Sequence, residues 1–277
     1  MRRAGRSDLL LSIDVSNRRL SAALWPLQPA PQAADEPLAH WLLGLRPGIT
    51  ADELRLTLAQ LLAADGFPVA AVRGCIVASV VPDLGAGLQA ACRTLFGFAP
   101  RFVGPGLRTG MHIRTESPAE LGPDRLANAL AAWRGYGAPI IVLDFSTALT
   151  VDLVDAAGAY VGTFIAPGLE VAADALAGRT ARLRRIALSS PERAIGTDTE
   201  SGLRSGLVFG YAGLVAGLVE AAQAQLGGAA SVLATGELDP ALDLIAQVDP
   251  SPLPAPWLTH QGLRLLWQQN PDAPAGP

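Results

Sequence analysis

Leu9-Leu10-Leu11-Ser12-Ile13-Asp14-Val15-Ser16-Asn17 is an apolar run that ends in an aspartate, one apolar residue, a serine and another short polar side chain. The stretch Ile140-Ile141-Val142-Leu143-Asp144-Phe145-Ser146-Thr147 has the same form, and a second apolar stretch follows each of them. An apolar strand, a tight polar turn and a returning strand predict a β-hairpin with a carboxylate at its bend. Either stretch alone is equally consistent with an ordinary buried strand. The matched pair favours a duplicated fold with a ligand cleft between its halves, where each turn offers a carboxylate and backbone N–H groups to a metal-bound phosphate.

The composition limits the function classes that this chain can serve. Half of its 277 residues are hydrophobic and 17% are charged, which indicates one large or two moderate globular domains. The net charge of −4 gives no electrostatic case for a nucleic-acid partner. All 21 basic residues are arginines, so mechanisms that need a phosphate-loop or Schiff-base lysine are excluded.

Cysteine, histidine and hydropathy patterns exclude further classes. Cys75 and Cys92 form no disulfide framework, and His40, His112 and His260 form no zinc motif. The first apolar run is too short for a signal peptide, and no stretch approaches the ~18 apolar residues of a membrane span. We therefore expect a cytoplasmic protein without a membrane partner.

Alternating strand and helix patterns favour a mostly parallel sheet with helices on both faces. Ser117-Pro118-Ala119-Glu120 has capping-box spacing, which predicts the start of a helix. The long apolar stretch from Thr199 to Leu226 predicts a helix whose regularly spaced glycines favour close packing against another helix. Further helices and strands are predicted at 51–64, 82–96, 74–81, 101–103, 140–145, 149–154, 159–165, 168–177 and 232–236.

Five short segments, in this order, resemble the motifs of the type III pantothenate kinases, a family of the actin-like/sugar-kinase superfamily. They are Ile13–Asn17, Gly104-Pro105-Gly106 with Thr109-Gly110, Glu120–Arg125, Leu143–Ala148 and Ile165-Ala166-Pro167-Gly168. The resemblance covers about Leu9 to Trp267 and implies an α/β, duplicated actin-like (ribonuclease H-like) fold with two mixed sheets. We expect a disordered N-terminus over 1–8, actin-like halves over 9–125 and 126–269, and a frayed tail over 270–277.

The resemblance implies ATP-dependent phosphorylation of pantothenate, the first step toward coenzyme A. Asp124 matches the general base that takes the proton from the substrate hydroxyl, since an alcohol is a poor nucleophile. The implied substrate-binding residues are Gly122, Pro123, Arg125, Thr199 and Gly106. The implied nucleotide-binding residues are Asp14, Ser16, Asn17, Arg18, Thr147 and Gly236.

The same resemblance implies Mg²⁺ held with ATP by Asp14 and a monovalent cation, K⁺ or NH₄⁺, held by Asp144. It also implies a dimer, either a homodimer or a heteromer with an intact paralogue.

The departures from the family pattern fall at turns expected to touch ATP. Ser16 and Ser146 replace glycines of the two phosphate turns, and Arg18 replaces a threonine. Thr163 and Glu237 each replace the second glycine of a pair. A side chain at a turn that needs positive φ costs roughly 1–2 kcal/mol and takes space near the phosphate. Arg18 and the serine hydroxyls offer compensating donors.

Three interpretations follow from this balance. The retained Asp124, Arg125 and Thr199 favour an active, divergent kinase. The lost glycines favour a catalytically impaired paralogue that acts as a partner subunit or regulator. A different phosphoryl transfer on the same scaffold is the third, because fold does not fix substrate.

Overall fold

The first sheet is built by strands β1 to β5 in the order β3-β2-β1-β4-β5. A computed structural model of the chain describes residues 8–28, 36–179, 183–237, 242, 244–245 and 248–271. The strands are β1 Leu9–Val15, β2 Arg19–Pro26, β3 Ala39–Gly44, β4 Val72–Ser79 and β5 Arg101–Phe102. β1, β2 and β3 pair antiparallel, whereas β1, β4 and β5 pair parallel.

The second sheet repeats this topology with strands β6 to β10 in the order β10-β9-β6-β7-β8. Its strands are β6 Ile140–Phe145, β7 Ala148–Val154, β8 Tyr160–Pro167, β9 Ser231–Gly236 and β10 Leu253–Pro254. β6 takes the place of β1, with an antiparallel hairpin on one side and parallel strands on the other. Both predicted hairpins are present, and both sheets are mixed rather than mostly parallel, because each hairpin pairs in the antiparallel sense.

Within the described residues, six α-helices accompany the sheets. They are α1 Ala51–Ala64, α2 Leu84–Phe96, α3 Pro123–Tyr136, α4 Leu169–Arg179, α5 Thr199–Leu226 and α6 Leu258–Gln269. α1 and α2 bury leucines such as Leu58 and Leu88 against one face of the first sheet. α4 and α5 cover one face of the second sheet, where Leu143 and Val151 meet Val215 and Val219.

Helix α5 is longer and more apolar than we expected, since no stretch of the sequence was predicted to approach the length of a membrane span. By length and composition its 28 residues are apolar enough to cross a membrane. However, Leu207, Val208, Tyr211 and Val215 are buried in the core of the second sheet. Packing within the protein therefore accounts for part of the apolar composition of α5.

The described residues divide into two compact units that do not follow the boundary expected at 125. One lies within Met1–Gly110, Ala119–Ala131 and Trp257–Pro277, and the other within Met111–Pro118 and Ala132–Pro256. The difference arises because α6, which we assigned to the second half, packs on β1 and β4 of the first sheet.

The end of the chain also differs from the expected tail. Asn270, the first residue of that tail, is buried, and its side chain hydrogen-bonds the backbone N–H and C=O of Arg108 at 2.8 Å. Residues 1–7 and 272–277, which make up most of the predicted disordered ends, lie outside the described residues.

The structure corrects the predicted start of α3. Pro118–Glu120 forms a single 3₁₀ turn, and the helix begins only at Pro123. The carbonyl of Gly122 accepts the first helical hydrogen bond, from Leu126 N at 3.0 Å. A proline does occupy the first helical position, but it is Pro123 rather than the predicted Pro118. Sequence analysis missed β3, β10 and α6.

A chain of buried hydrogen bonds links α6 to the first hairpin. Trp25 Nε1 donates to Ser12 Oγ at 2.9 Å, and Ser12 Oγ donates to the carbonyl of Ala23 at 3.2 Å. His260 Nδ1 lies 2.9 Å from Ser12 Oγ, and its Nε2 lies 2.8 Å from Ser21 Oγ. Ser21 Oγ is in turn 2.8 Å from Nε2 of His40.

When the His260 imidazole is neutral, one arrangement of protons satisfies every contact in this chain of hydrogen bonds. Because the Ser12 hydroxyl hydrogen goes to Ala23, His260 must donate from Nδ1 and accept at Nε2 from Ser21. His40 then donates from Nε2 to Ser21. Burial, with a smaller contribution from the charge of His40, lowers the pKa of His260 to about 3, so the imidazole is neutral at pH 7.

We expect His260 to make folding stability depend on pH. In the unfolded chain a histidine binds a proton below about pH 6.5, whereas folded His260 stays neutral until about pH 3. Its contribution is therefore complete above pH 6.5 and is lost progressively as the pH falls toward 3. At pH 5 the loss is about 2 kcal/mol. Urea unfolding of wild type and His260→Gln at pH 7.5 and pH 5 tests this: the variant should lose less stability on acidification, and equal losses would contradict the expectation.

Candidate functional site

The first hairpin places Asp14 beside its turn. Asp14 is half-buried at the end of β1 and lies directly opposite Ser21 of β2. The backbone N–H of Ser16 donates to the carbonyl of Arg19 at 2.9 Å, which closes the turn. Asn17 and Arg18 are exposed at its tip. The turn thus presents a carboxylate, an amide and a guanidinium on neighbouring residues.

The second hairpin is built in the same way. Asp144 is half-buried and lies opposite Thr150, another hydroxyl residue, in the β6–β7 pair. Ser146 N donates to the carbonyl of Ala148 at 3.0 Å, and Ser146 and Thr147 are exposed. The two halves therefore share the strand topology and also the type of residue that faces each aspartate across the hairpin, a hydroxyl residue in both cases.

Ser16 and Ser146, where the family resemblance implies glycine, each add a side-chain hydrogen bond to their turn. Ser16 Oγ donates to the carbonyl of Arg19 at 3.2 Å, and Ser146 Oγ donates to the carbonyl of Ala148 at 3.1 Å. In both turns the acceptor is the first residue of the returning strand, the same carbonyl that closes the turn through the serine N–H. Each hydroxyl therefore supplies a turn hydrogen bond that glycine lacks.

Two glycines lie close to the backbone of the β6–β7 hairpin. Gly168 follows β8, and its N–H donates to the carbonyl of Thr147 at 3.0 Å. A Cβ on Gly168 would overlap the backbone of Ser146 and Thr147. Gly236 ends β9 with φ +85°, and a Cβ there would overlap the Phe145 backbone and a carboxylate oxygen of Asp144. The residues that follow β8 and end β9 thus pack against the β6–β7 hairpin, because the carboxyl ends of β6, β8 and β9 share one edge of the sheet.

The start of α3 positions Asp124. Pro123 and Asp124 occupy the first turn of the helix, where the positive end of the helix dipole favours a carboxylate. A Cβ on Gly122 would lie 2.5 Å from Asp124 Oδ1 and 3.7 Å from Arg125 Cδ. Glycine at 122 therefore allows the Asp124 carboxylate to fold back against the residue that precedes the helix.

The remaining predicted site residues lie elsewhere in their units. Gly106 is exposed with φ +93°, in the left-handed region that favours glycine. Thr199 is the exposed first residue of α5 and lines a cavity of 310 Å³. The other residues lining that cavity are Arg184, Arg185, Ile186, Ala187, Glu200 and Leu203.

The predicted site residues are divided between the two units. The first unit holds the Asp14 turn, Gly106 and the Gly122–Arg125 segment, and the second unit holds Asp144, Thr147, Gly236 and Thr199. Glu237, another of the four positions where the family resemblance implies glycine, is exposed, and its N–H donates to the carbonyl of Phe145 at 2.5 Å. Gly168 was quoted as part of a motif but missed as a site residue. Its place directly before α4 was the signal that could have found it.

The donor set fits a cation that is bound together with a nucleotide. Within the part of the chain that the structure describes, no three His, Cys, Asp or Glu side chains gather into a metal site of their own. Mg²⁺ is commonly bound by one or two carboxylates plus substrate phosphates, so a single aspartate beside an exposed turn suits it. Asp14 at the first turn meets this description.

Comparisons with known proteins identify the family of this chain. A family model described as type III pantothenate kinase matches residues 10–221. The type III pantothenate kinase of Moorella thermoacetica is 39% identical over 266 residues, covering 95% of this chain and 100% of that protein. Its counterpart in Roseiflexus sp. strain RS-1 is 40% identical over 263 residues, covering 95% and 99%.

Solved structures support the fold alone. Component A of the (R)-2-hydroxyglutaryl-CoA dehydratase of Acidaminococcus fermentans matches with a TM-score of 0.51 at 14% identity, covering 93% of this chain and 95% of that one. The activator of the 2-hydroxyisocaproyl-CoA dehydratase of Clostridium difficile matches with a TM-score of 0.52 at 10% identity, covering 95% of each chain. The two mixed sheets and these neighbours establish the duplicated actin-like fold. On the family model and the near-full-length relatives, the chain belongs to the type III pantothenate kinase family.

Proposed function

We propose that this protein transfers the terminal phosphoryl group of ATP to pantothenate and forms 4'-phosphopantothenate. The observation that carries the proposal is the full-length relationship to type III pantothenate kinases, combined with an intact Gly122–Arg125 segment at the start of α3. Because this segment contains the general base, its retention separates an active kinase from a scaffold that has lost its chemistry.

Asp124 acts as the general base in the proposed reaction. The substrate hydroxyl oxygen forms a bond to the terminal phosphorus while the bond from that phosphorus to the ADP oxygen breaks. The hydroxyl proton moves to the Asp124 carboxylate as the nucleophile attacks. The positive end of the α3 dipole favours a carboxylate in the first turn, and the absence of a Cβ on Gly122 leaves room for it beside the start of the helix.

Arg125 is the proposed anchor for the substrate. Its guanidinium is permanently charged and donates in a fork that matches a carboxylate, the anionic group of pantothenate. Gly122, Pro123, Gly106 and Thr199 complete the proposed substrate contacts. Of these five residues only Arg125 carries a charge, so we propose that Arg125 orients the substrate. The other four would match the shape of the substrate.

The nucleotide is held by the proposed set Asp14, Ser16, Asn17, Arg18, Thr147 and Gly236. Asp14 would hold Mg²⁺ with ATP, and Asp144 would hold K⁺ or NH₄⁺. When bound, these cations neutralise part of the phosphate charge. Backbone N–H groups at the turns and the Arg18 guanidinium would donate to the phosphate oxygens, and Asp14 and Asp144, near the ends of β1 and β6, would be the carboxylates that hold the cations.

We propose that the protein acts in the cytoplasm as a homodimer, with pantothenate as its small-molecule partner and no nucleic-acid or membrane partner. A heteromer with an intact paralogue is the alternative assembly. The impaired-paralogue interpretation rested on the lost glycines. Since Ser16 and Ser146 hydrogen-bond within their turns, no observation favours that interpretation.

The test is a turnover assay of the purified full chain with ATP, Mg²⁺, pantothenate and either K⁺ or Na⁺. We expect ADP release matched by a phosphorylated product with the mass of phosphopantothenate, and higher rates with K⁺. ATP binding without phosphorylation of pantothenate would point to another acceptor. Absence of both, in folded protein, would contradict the proposal.

We expect Gly122→Ala to lower kcat about 10²-fold, the cost of misplacing a catalytic group by roughly 1 Å. The added methyl would lie 2.5 Å from Asp124 Oδ1, so the carboxylate must move. Steady-state kinetics measures the effect. Gly135→Ala is the matched control, since it lies near the end of the same helix with open space around it and should leave kcat unchanged. An unchanged kcat in Gly122→Ala would show that the Asp124 carboxylate is not placed by this glycine.

A further inference from the structure

We propose that helix α6 is a positioning element that ties the Asp14 hairpin to the Asp124 helix. This inference rests on the proposed function, which gives those two aspartates their roles. Two consecutive residues of α6 make the two ties: Thr259 reaches α3, and His260 reaches β1 and β2. All of these residues lie in one compact unit.

The tie to the base-bearing helix has two parts. Thr259 Oγ1 donates to Asn128 Oδ1 at 2.7 Å, and Asn128 is completely buried one turn after Asp124. Gly262 lies on the backbone of Ala127, where a Cβ would overlap the Ala127 carbonyl. Since Ala127 and Asn128 belong to the turn that follows Asp124, their position sets the position of the carboxylate.

The tie to the hairpin passes through His260. Its two ring nitrogens contact Ser12 Oγ and Ser21 Oγ at 2.9 and 2.8 Å. Ser12 lies two residues before Asp14 on the same face of β1, and Ser21 lies directly opposite Asp14 on β2. His260 therefore bridges the two strands at the end that carries Asp14.

The rest of α6 is anchored firmly enough to transmit this positioning. The Trp267 ring packs on Gly74 of β4, where a Cβ would lie 2.9 Å from its Cη2. The Arg264 guanidinium lies 4.6 Å from the Trp25 ring centroid. A helix held at both ends fixes its residues 259 and 260 relative to each other, and so fixes α3 relative to the hairpin.

The experiment compares four variants in the intact chain: His260→Leu, His260→Gln, Thr259→Val and Thr259→Ser. Glutamine retains one acceptor and two donors on a planar group, and serine retains the hydroxyl. Gln268→Ala, an exposed position on the same helix, is the control. All assays run at least ten degrees below the melting temperature of each variant, so that stability does not enter the rates.

We expect the two ties to separate kinetically. His260→Leu should raise KM for ATP about tenfold with KM for pantothenate nearly unchanged, and His260→Gln should restore most of the loss. Thr259→Val should lower kcat about tenfold with KM for ATP nearly unchanged, and Thr259→Ser should restore it. In an Asp124→Asn background, Thr259→Val should have little further effect, because the base that it positions is already absent.

Two results would overturn the inference. One is a fall in melting temperature with no change in kinetics, which is what a purely structural contact would give. The other is equal kinetic loss in the conservative and non-conservative variants. If the wild-type protein binds ATP but does not phosphorylate pantothenate, the proposed function fails. The contact between His260 and the hairpin can then still be tested by measuring the ATP affinity of the His260 variants by calorimetry. An unchanged ATP affinity in His260→Leu would reject this part of the inference.

Discussion

Asp124→Asn should lower kcat by about 10²–10⁴-fold, the usual contribution of a positioned general base. Asparagine keeps the size and shape of the side chain but cannot take up the hydroxyl proton. The first turn of α3 accepts either residue, so the fold and the melting temperature should be preserved. KM values for ATP and pantothenate should change little, because the loss concerns an interaction used in the transition state.

Steady-state kinetics in both substrates, with ATP affinity measured by calorimetry, distinguishes loss of the base from loss of binding. Asp83→Asn is the matched control: Asp83 is exposed, precedes α2 and makes no side-chain capping hydrogen bond. It should leave kcat unchanged. If Asp124→Asn retained wild-type kcat, Asp124 would not be the base, and the assignment of the Gly122–Arg125 segment as the catalytic centre would be wrong.

The hairpins were predictable because their signals are local. Each combines an apolar strand, an aspartate and a serine within nine residues, and both the strand bounds and the paired topology follow from that pattern. The start of α3 was not predictable in the same way. Ser117-Pro118 and Gly122-Pro123 both carry a proline suited to a first helical turn, and local chemistry does not choose between them. The choice places Asp124 in the first turn of the helix.

The consequences of the lost glycines could also not be predicted from the sequence. The replacements of glycine by Ser16 and Ser146 were visible, and the expectation was backbone strain and lost space. That expectation could not anticipate that each hydroxyl would donate to the carbonyl that already closes its turn. Likewise α6 escaped prediction because its most informative residue, His260, is a polar residue whose burial depends on Ser12 and Ser21, more than 200 residues earlier.

The second large effect is expected at Gly236. Gly236→Ala should lower kcat/KM for ATP about 10²-fold and weaken activation by K⁺. Two causes act together. The φ of +85° costs a side chain roughly 1–2 kcal/mol. In addition, the new Cβ would overlap a carboxylate oxygen of Asp144 and the Phe145 backbone, whose N would lie only 2.8 Å away. The end of β9 must therefore shift, and this shift would displace the β6–β7 turn, to which we assign binding of the nucleotide and the monovalent cation.

Gly228→Ala separates these two causes. Gly228 has nearly the same φ, +82°, but no atom lies within 4 Å of where its Cβ would be. It should therefore lower the free energy of unfolding as backbone strain does and leave kcat/KM for ATP unchanged. If both variants lowered stability equally and neither changed the K⁺ dependence, strain alone would account for Gly236. If only Gly236→Ala lost K⁺ activation, displacement of Asp144 would be the cause, which ties the monovalent cation to the end of β6.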